Sequence, residues 1–409
     1  MPQGSALPTR HVQNPQQEYW LDPVDGNDTT GNGSEAQPWK TLQKADDSIV
    51  NPGTGDVVIE MADNGAYQAA DNAQAACLIG AGTVPSSTHR WIFRPAPGAG
   101  RVTVKRSGGS STVDRWCFRI NTAGNVILEG MELTEDSPRP TTGSASGIWQ
   151  GASSDAPNCE YFDLHIHDLN VTTNTTRAQG IDIDNAAGGD FPALIENVHV
   201  ERIGLDGEPR LCHGVYISVP DVWLINVLAN NMANGYGLQF FSGTPFPFHL
   251  IHCTVAGPFF KGAGGDEGPL VYVAGGDGSD IRNSIFCELD GTVASIHRTS
   301  GTGMTGSTLD HLILRKPAGT YIDTPANWAT QTNIDEDIDD PGFVDLDGED
   351  FHLLSDSVAR GFSDTEWSRP YDIEGNPRPA GQEDAGAFQF VEETSPEISM
   401  IRSRQKVGR

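Results

Sequence analysis

Residues 213–241 read HGVYISVPDVWLINVLANNMANGYGLQFF, and the opening HGVYIS comes back as YGLQFF after a step of 23 residues. A phrase that recurs across a turn-rich interval marks one structural unit stacked on copies of itself, because a single unit cannot bury its apolar face alone. Further copies stand at SGIWQG (146–151), QGIDIDN (179–185), PLVYVAG (269–275) and, more weakly, TVASIHR (292–298). Gly147, Gly180, Gly214 and Gly237 are separated by 33, 34 and 23 residues. Helical repeats rarely tolerate so uneven a step, whereas a coil of short strands lengthens one corner loop and keeps its ladder.

A second phrase recurs out of step with the first: NVILEGMEL from 125, CEYFDLHIHDL from 159, ALIENVHVERI from 193, VWLINVLANNM from 222, FHLIHCTVAGP from 248 and SDIRNSIFCEL from 279. Apolar residues alternate within it, with polar side chains or Asn beside the turn, which is strand rather than helix patterning. Two strands per turn, stacked in parallel, make an all-β fold: a single-stranded right-handed parallel β-helix with rungs about 4.8 Å apart.

The 409 residues, 37% of them hydrophobic, with 47 glycines, suffice for one large solenoid. PWKTLQKADDSIV at 38–50 is the best helical candidate and suits an N-terminal cap over the first rung. The expected organisation is an extended arm at 1–18, a β-helix domain at 19–390 and a tail at 391–409. Within the domain the cap occupies about 38–50, the coils about 55–330 and a closing segment 335–390. The polar ends suggest a homo-oligomer or larger assembly that holds them. No run of about 18 apolar residues predicts membrane insertion, and MPQGSALPTRHVQNPQQEYW lacks the apolar core of a secretory signal. A net charge of −29 argues against nucleic acid, which needs a basic surface. Cys77, Cys117, Cys159, Cys212, Cys253 and Cys287 form no CxxC pair, so metal-site spacing is absent and buried thiols are expected, with a disulfide between neighbouring rungs the alternative.

The lead-in YWLDPVDGNDTTGNGSEAQPWKTLQKA (19–45) and the closing phrases DPGFVDLDGEDFHLLSDS (340–357) and YDIEGNPRPAGQEDAGAFQF (371–390) resemble the entry and exit segments of right-handed β-helix proteins of the pectate-lyase-like superfamily. The resemblance spans residues 19–390 and implies the fold. For activity it implies only a range: polysaccharide lyases, glycoside hydrolases, epimerases and phage tail proteins. The paired aspartates and Gly-His-Gly of the polygalacturonase type are missing, Cys212-His213-Gly214 being the nearest approach, and so is the Asp-Pro-His-Asp of alginate epimerases.

Side chains alternate along a strand, so with Ile148, Ile181, Val215, Leu238 and Val271 inward, Trp149, Asp182, Tyr216, Gln239 and Tyr272 leave the coil, and Asp184, Ser218 and Phe241 follow one step on. An aromatic, acidic and amide column on the middle coils suits a polysaccharide groove, since a pyranose shows apolar CH surface on one face and hydroxyls at its rim. Trp149, Tyr216, Gln239, Phe241 and Tyr272 are the candidate substrate-binding residues. β-Elimination in a uronic-acid polymer needs carboxylate neutralisation, a base for the C5 proton and an acid for the leaving oxygen. Arg210 suits the first, His213 or Lys261 the second, and Tyr236 or Tyr216 the third. Asp182, Asp184 and Asp190, in GIDIDNAAGGD, have the oxygen-rich composition Ca²⁺ uses, although no cofactor is required. Hydrolysis instead needs two carboxyl groups, and Asp182 and Asp184 share a face about 7 Å apart. Elimination is the favoured reaction, hydrolysis the second. His165, His167, His249 and His252 read as polar positions of the coil wall. The alternative function is a non-enzymatic virion or surface β-helix that binds a receptor, and in either case the expected location is extracellular or virion.

Overall fold

The computed structural model describes residues 7–392 apart from the segments 50–54, 69–74, 81–89, 107–113, 122–124, 136–142, 152–158, 171–176, 185–192, 205–210, 233–234, 242–245, 258–269, 289–294, 299–303, 316–320, 323–327 and 337–339. Nearly all ladders are parallel, and every turn of chain pairs with the turn before it and the turn after. The chain is a parallel β-helix.

Each turn carries three strands rather than the expected two. The second recurring phrase bends in its middle, so that Ala193–Ile203 and Val222–Met232 each run across two faces of the tube. The bend falls at one register position on successive rungs: Gly130, Asp163, Asn197, Asn226, His252, Asn283, His311 and Asn333 all have positive φ. Asn and Asp tolerate the left-handed region better than other side chains, because their short polar groups bond locally. The Asn in ENV and INV is therefore the corner signal. The first face holds strands such as Asp56–Met61 and Arg90–Pro95, and the second holds His165–His167 and Thr254–Gly257. The HGVYIS-type phrase forms the third face: Ala75–Ile79, Arg115–Ile120, Ala145–Gly151, Arg177–Asp184, Leu211–Ile217, Gly235–Phe240, Val271–Val273 and Ile296–Arg298, in unbroken order.

The tube is filled by files of like residues, for example Ile59, Phe93, Leu128, Tyr161, Ile195, Leu224, Leu250, Ile281 and Leu309 on the first face, all buried. The repeated glycines have a steric cause. A Cβ on Gly147, Gly180 or Gly214 would lie 2.7, 2.5 and 2.5 Å from the carbonyl oxygen of the glycine one rung on, so only glycine lets these strands stack. All six cysteines are buried and free, and no disulfide joins neighbouring rungs.

The helix Leu42–Ser48 caps the first rungs behind strand Pro15–Leu21, with the Thr41 side chain accepting from the Lys44 amide. Residues 7–14 dock on their own chain: the His11 amide donates to Glu160, the Asn14 amide donates to Asp56, and the Arg10 guanidinium lies over the Phe162 ring. The acidic run that begins at Asn333 finishes strand Trp328–Asp335, and the hairpin Phe343–Asp345/Asp350–Leu353 follows. From there to Glu392 the chain straps back along the outside of the tube. Phe343, Phe351, Ala387 and Phe388 pack on Leu228, Ala256, Ile285 and Ile313, while Trp367 joins Trp223 and Ile251. The strap reads the corner: Asn283 donates to the carbonyls of Asp364 and Trp367, and Asn226 donates to that of Tyr371.

Candidate active site on the third face

The strand register places Trp149, Asp182, Tyr216, Gln239 and Tyr272 on successive rungs at one position, with Arg119 before them and His297 after. A neighbouring file runs Trp116, Ser146, Gln179, His213, Tyr236. In a third position the Ser218 hydroxyl donates to Asp184 at 2.9 Å, and Phe241 is exposed. Arg210, Lys261 and Asp190 lie outside the described residues.

The rings of the first two files interleave. His213 stacks on Tyr236 with centroids 5.1 Å apart and planes 7° from parallel, Tyr236 stacks on Tyr272 at 4.7 Å, and Tyr216 and His297 continue the stack at its ends. These spacings match the rung repeat, so the interior rings spend their faces on one another. Of the aromatics expected to line a groove, Tyr272 therefore has its faces against Tyr236 and His297, while Tyr216 closes one end of the stack. A tilted tryptophan pair, Trp116 and Trp149 at 5.6 Å, lies lower on the same face with the Arg119 guanidinium over both rings. Gly151 makes the room: a Cβ there would sit 1.8 Å from the Trp149 ring.

Between the tryptophan pair and the ring stack sits Asp182, 7% exposed, its Oδ1 without a hydrogen-bond partner among the described residues. Burial, with the charge of Asp184 as a second cause, pushes its carboxyl up to about 8, while Arg177 pulls the other way. Gln239, two rungs on, also has a buried Oε1 without a partner among the described residues. Burial, and then the charges of Asp184 and Asp182, push the Tyr216 phenol up to about 12. His213 is 1% exposed and held neutral, its imidazole pushed down to about 3 by burial with help from Arg177. Its Nδ1 accepts the Tyr236 amide at 3.3 Å.

The sequence reading passed over Trp116, Arg119 and Arg177. RWCFRI at 115–120 is a copy of the third-face phrase with Cys117 where the copies at 147, 180, 214 and 237 have glycine, so a pattern keyed to glycine misses it. The alternation W-C-F-R was the available signal.

No family model matches the chain, and no curated protein matches it. Among solved structures it is similar to pectate lyase Pel9A, at 12% identity over 93% of this chain and 98% of that one, with a TM-score of 0.45. A rhamnogalacturonan lyase aligns at 11% identity over 94% and 98%, TM-score 0.42. The GH136 lacto-N-biosidase from Eubacterium ramulus aligns at 8% identity over 78% and 67%, TM-score 0.41. Likeness at this level carries no argument about reaction or substrate. No helix among the described residues is long and apolar enough to cross a membrane.

Proposed function

We propose that this chain binds a polysaccharide along the third face and cleaves it with Asp182 as the proton-transfer group. One observation carries the reading: a buried carboxyl, unpartnered at one oxygen, lies in a file of aromatic and amide side chains and is raised to about 8. A structural carboxylate so placed would be paired, whereas an acid catalyst at neutral pH needs this environment. Asp184, on the same strand and the same face, supplies the second carboxyl group that glycoside hydrolysis requires. Hydrolysis therefore stands ahead of the elimination favoured by the sequence, because a carboxyl protonated at neutral pH suits the acid of either reaction but not the base that elimination also needs, and the candidate base His213 is 1% exposed. Elimination keeps one specific support, the guanidinium of Arg177, which acts electrostatically on Asp182, His213 and Tyr216 and is of the kind that neutralises a uronate. Calcium at Asp182 and Asp184 would need Asp182 ionised and so belongs with elimination rather than with this reading, while an extracellular or virion setting goes with either.

The test is a panel of neutral and uronic-acid polysaccharides assayed for reducing ends and for the ultraviolet absorbance of unsaturated products. Release of reducing ends without unsaturation, with kcat/KM falling above about pH 8 as Asp182 loses its proton, is the expected result. Unsaturated product with activity rising through that pH transfers the role of Asp182 to base. No product across the panel refutes cleavage.

A further inference from the structure

On the second face, away from the file just described, His165 and His199 occupy one register position on adjacent rungs, and Glu201 follows two residues along the same strand as His199. Ile166 and Val200 point into the tube, so these three side chains project outward together. The two imidazoles stack at 4.8 Å with planes 14° apart, and both Nε2 atoms face Glu201. His165 Nε2 lies 2.9 Å from Glu201 Oε1, and His199 Nε2 lies 3.8 Å from Glu201 Oε2. One ligand atom from each of the three residues falls within 4.8 Å of the others. Glu201 is 3% exposed, and its Oε2 has no hydrogen-bond partner among the described residues.

We propose that His165, His199 and Glu201 bind a divalent transition-metal ion of the zinc class. Two imidazole nitrogens and a carboxylate are donors such ions favour, and the ligand atoms, within 4.8 Å of one another, would have to draw to about 3.4 Å apart to surround an ion at about 2.0–2.2 Å from each, a side-chain adjustment that leaves the strands in register. The buried, unsatisfied Oε2 is the decisive feature, since a carboxylate oxygen is expensive to leave unpaired in a dry position. Asn230, one rung above Glu201, brings its Oδ1 to 2.8 Å from His199 Nε2 and offers a fourth oxygen or a partner for a bound water. The ion would sit beside a salt-bridge network of both signs. Arg202 pairs with Glu201 Oε1 at 2.6 Å, which leaves Oε2 as the carboxylate oxygen for the ion, and it also pairs with Asp168, while His167 sits between Asp168 and Glu132. The site shares no residue with the third-face file, so its test is independent of the cleavage assay.

Wild-type protein stripped with chelator, dialysed against Zn²⁺ and analysed for metal should retain one equivalent per chain and melt at higher temperature than the stripped form. With Co²⁺ as the probe, a visible absorption band of four-coordinate cobalt should appear. Glu201→Gln, His199→Asn and His165→Asn, each checked by circular dichroism for its fold, should weaken Zn²⁺ binding by at least about tenfold. The proposal is overturned if the stripped wild type retains no Zn²⁺, or if folded Glu201→Gln and His165→Asn proteins bind it as the wild type does. His165 and His199 both lie partly exposed at the tube surface, so their variants decide the matter even if substitution of the buried Glu201 prevents folding.

Discussion

Replacing Asp182 by Asn removes a titration while keeping the size and polarity of the side chain, and the wild-type environment sets what should follow. The carboxyl is displaced from 3.8 to about 8, with burial the largest cause. A group whose folded pKa is raised contributes stability that is fully present below its unfolded value and is lost as pH rises through its folded value. For Asp182 the window runs from about pH 4 to about pH 8. At about 1.4 kcal/mol for each unit, a displacement of about four units amounts to a ceiling of about 6 kcal/mol across that window. An unfolding entropy of about 2.1 cal/mol/K per residue gives about 0.9 kcal/mol/K for a chain of this size, so that ceiling is worth about 7 °C in Tm. The assay is a series of thermal melts of wild type and Asp182→Asn at half-unit steps from pH 4 to pH 9. Wild type should lose ground to the variant steadily through the window, with little further change above it. Parallel curves, with one constant offset at every pH, would refute the claim that this carboxyl is held protonated by its surroundings, and the acid role would fall with it.

His213 should behave with the opposite sign. Its folded value is depressed to about 3, so the stability it contributes above about pH 6.5 is lost as pH falls towards 3; His213→Phe, which keeps the ring stack, should lose less stability than wild type in acid, read from melts between pH 7 and pH 3.5. At the corner, Asn283→Asp keeps the side-chain shape and the acceptor for the Asp364 amide but removes the donor to the Asp364 and Trp367 carbonyls. It should cost about 1–3 kcal/mol and make the strap of residues 340–392 cleavable by protease before the coils are. Unchanged proteolysis would show that the strap is held by its apolar contacts alone. Asn283→Leu should cost more, adding about 1–2 kcal/mol for a branched side chain at φ 53°.

Much of the tube was legible because its information is local and repeats. Alternation assigns Ile148, Ile181 and Val215 to the inside and Trp149, Asp182 and Tyr216 to the outside. The glycine file then sets the register, since Gly147, Gly180 and Gly214 stack where a Cβ would strike the next rung's carbonyl. The three-stranded turn was harder to see, because Asn226 and Asn283 look like ordinary polar residues until the bend shows them at positive φ. The ring stack was hidden for a related reason. Composition shows that Tyr236 and Tyr272 are aromatic, but only coordinates show that their faces meet each other.

The sequence by itself determined the coil, its inward and outward files and the order of the third-face residues, because each follows from strand alternation and a repeated step along one chain. The tertiary structure alone decided the protonation of Asp182, the burial of His213 in a ring stack, the docking of the strap on Asn226, His252 and Asn283, and the convergence of His165, His199 and Glu201. Those properties depend on desolvation and on contacts between residues tens to more than a hundred positions apart, and neither is written in the neighbourhood of any single residue.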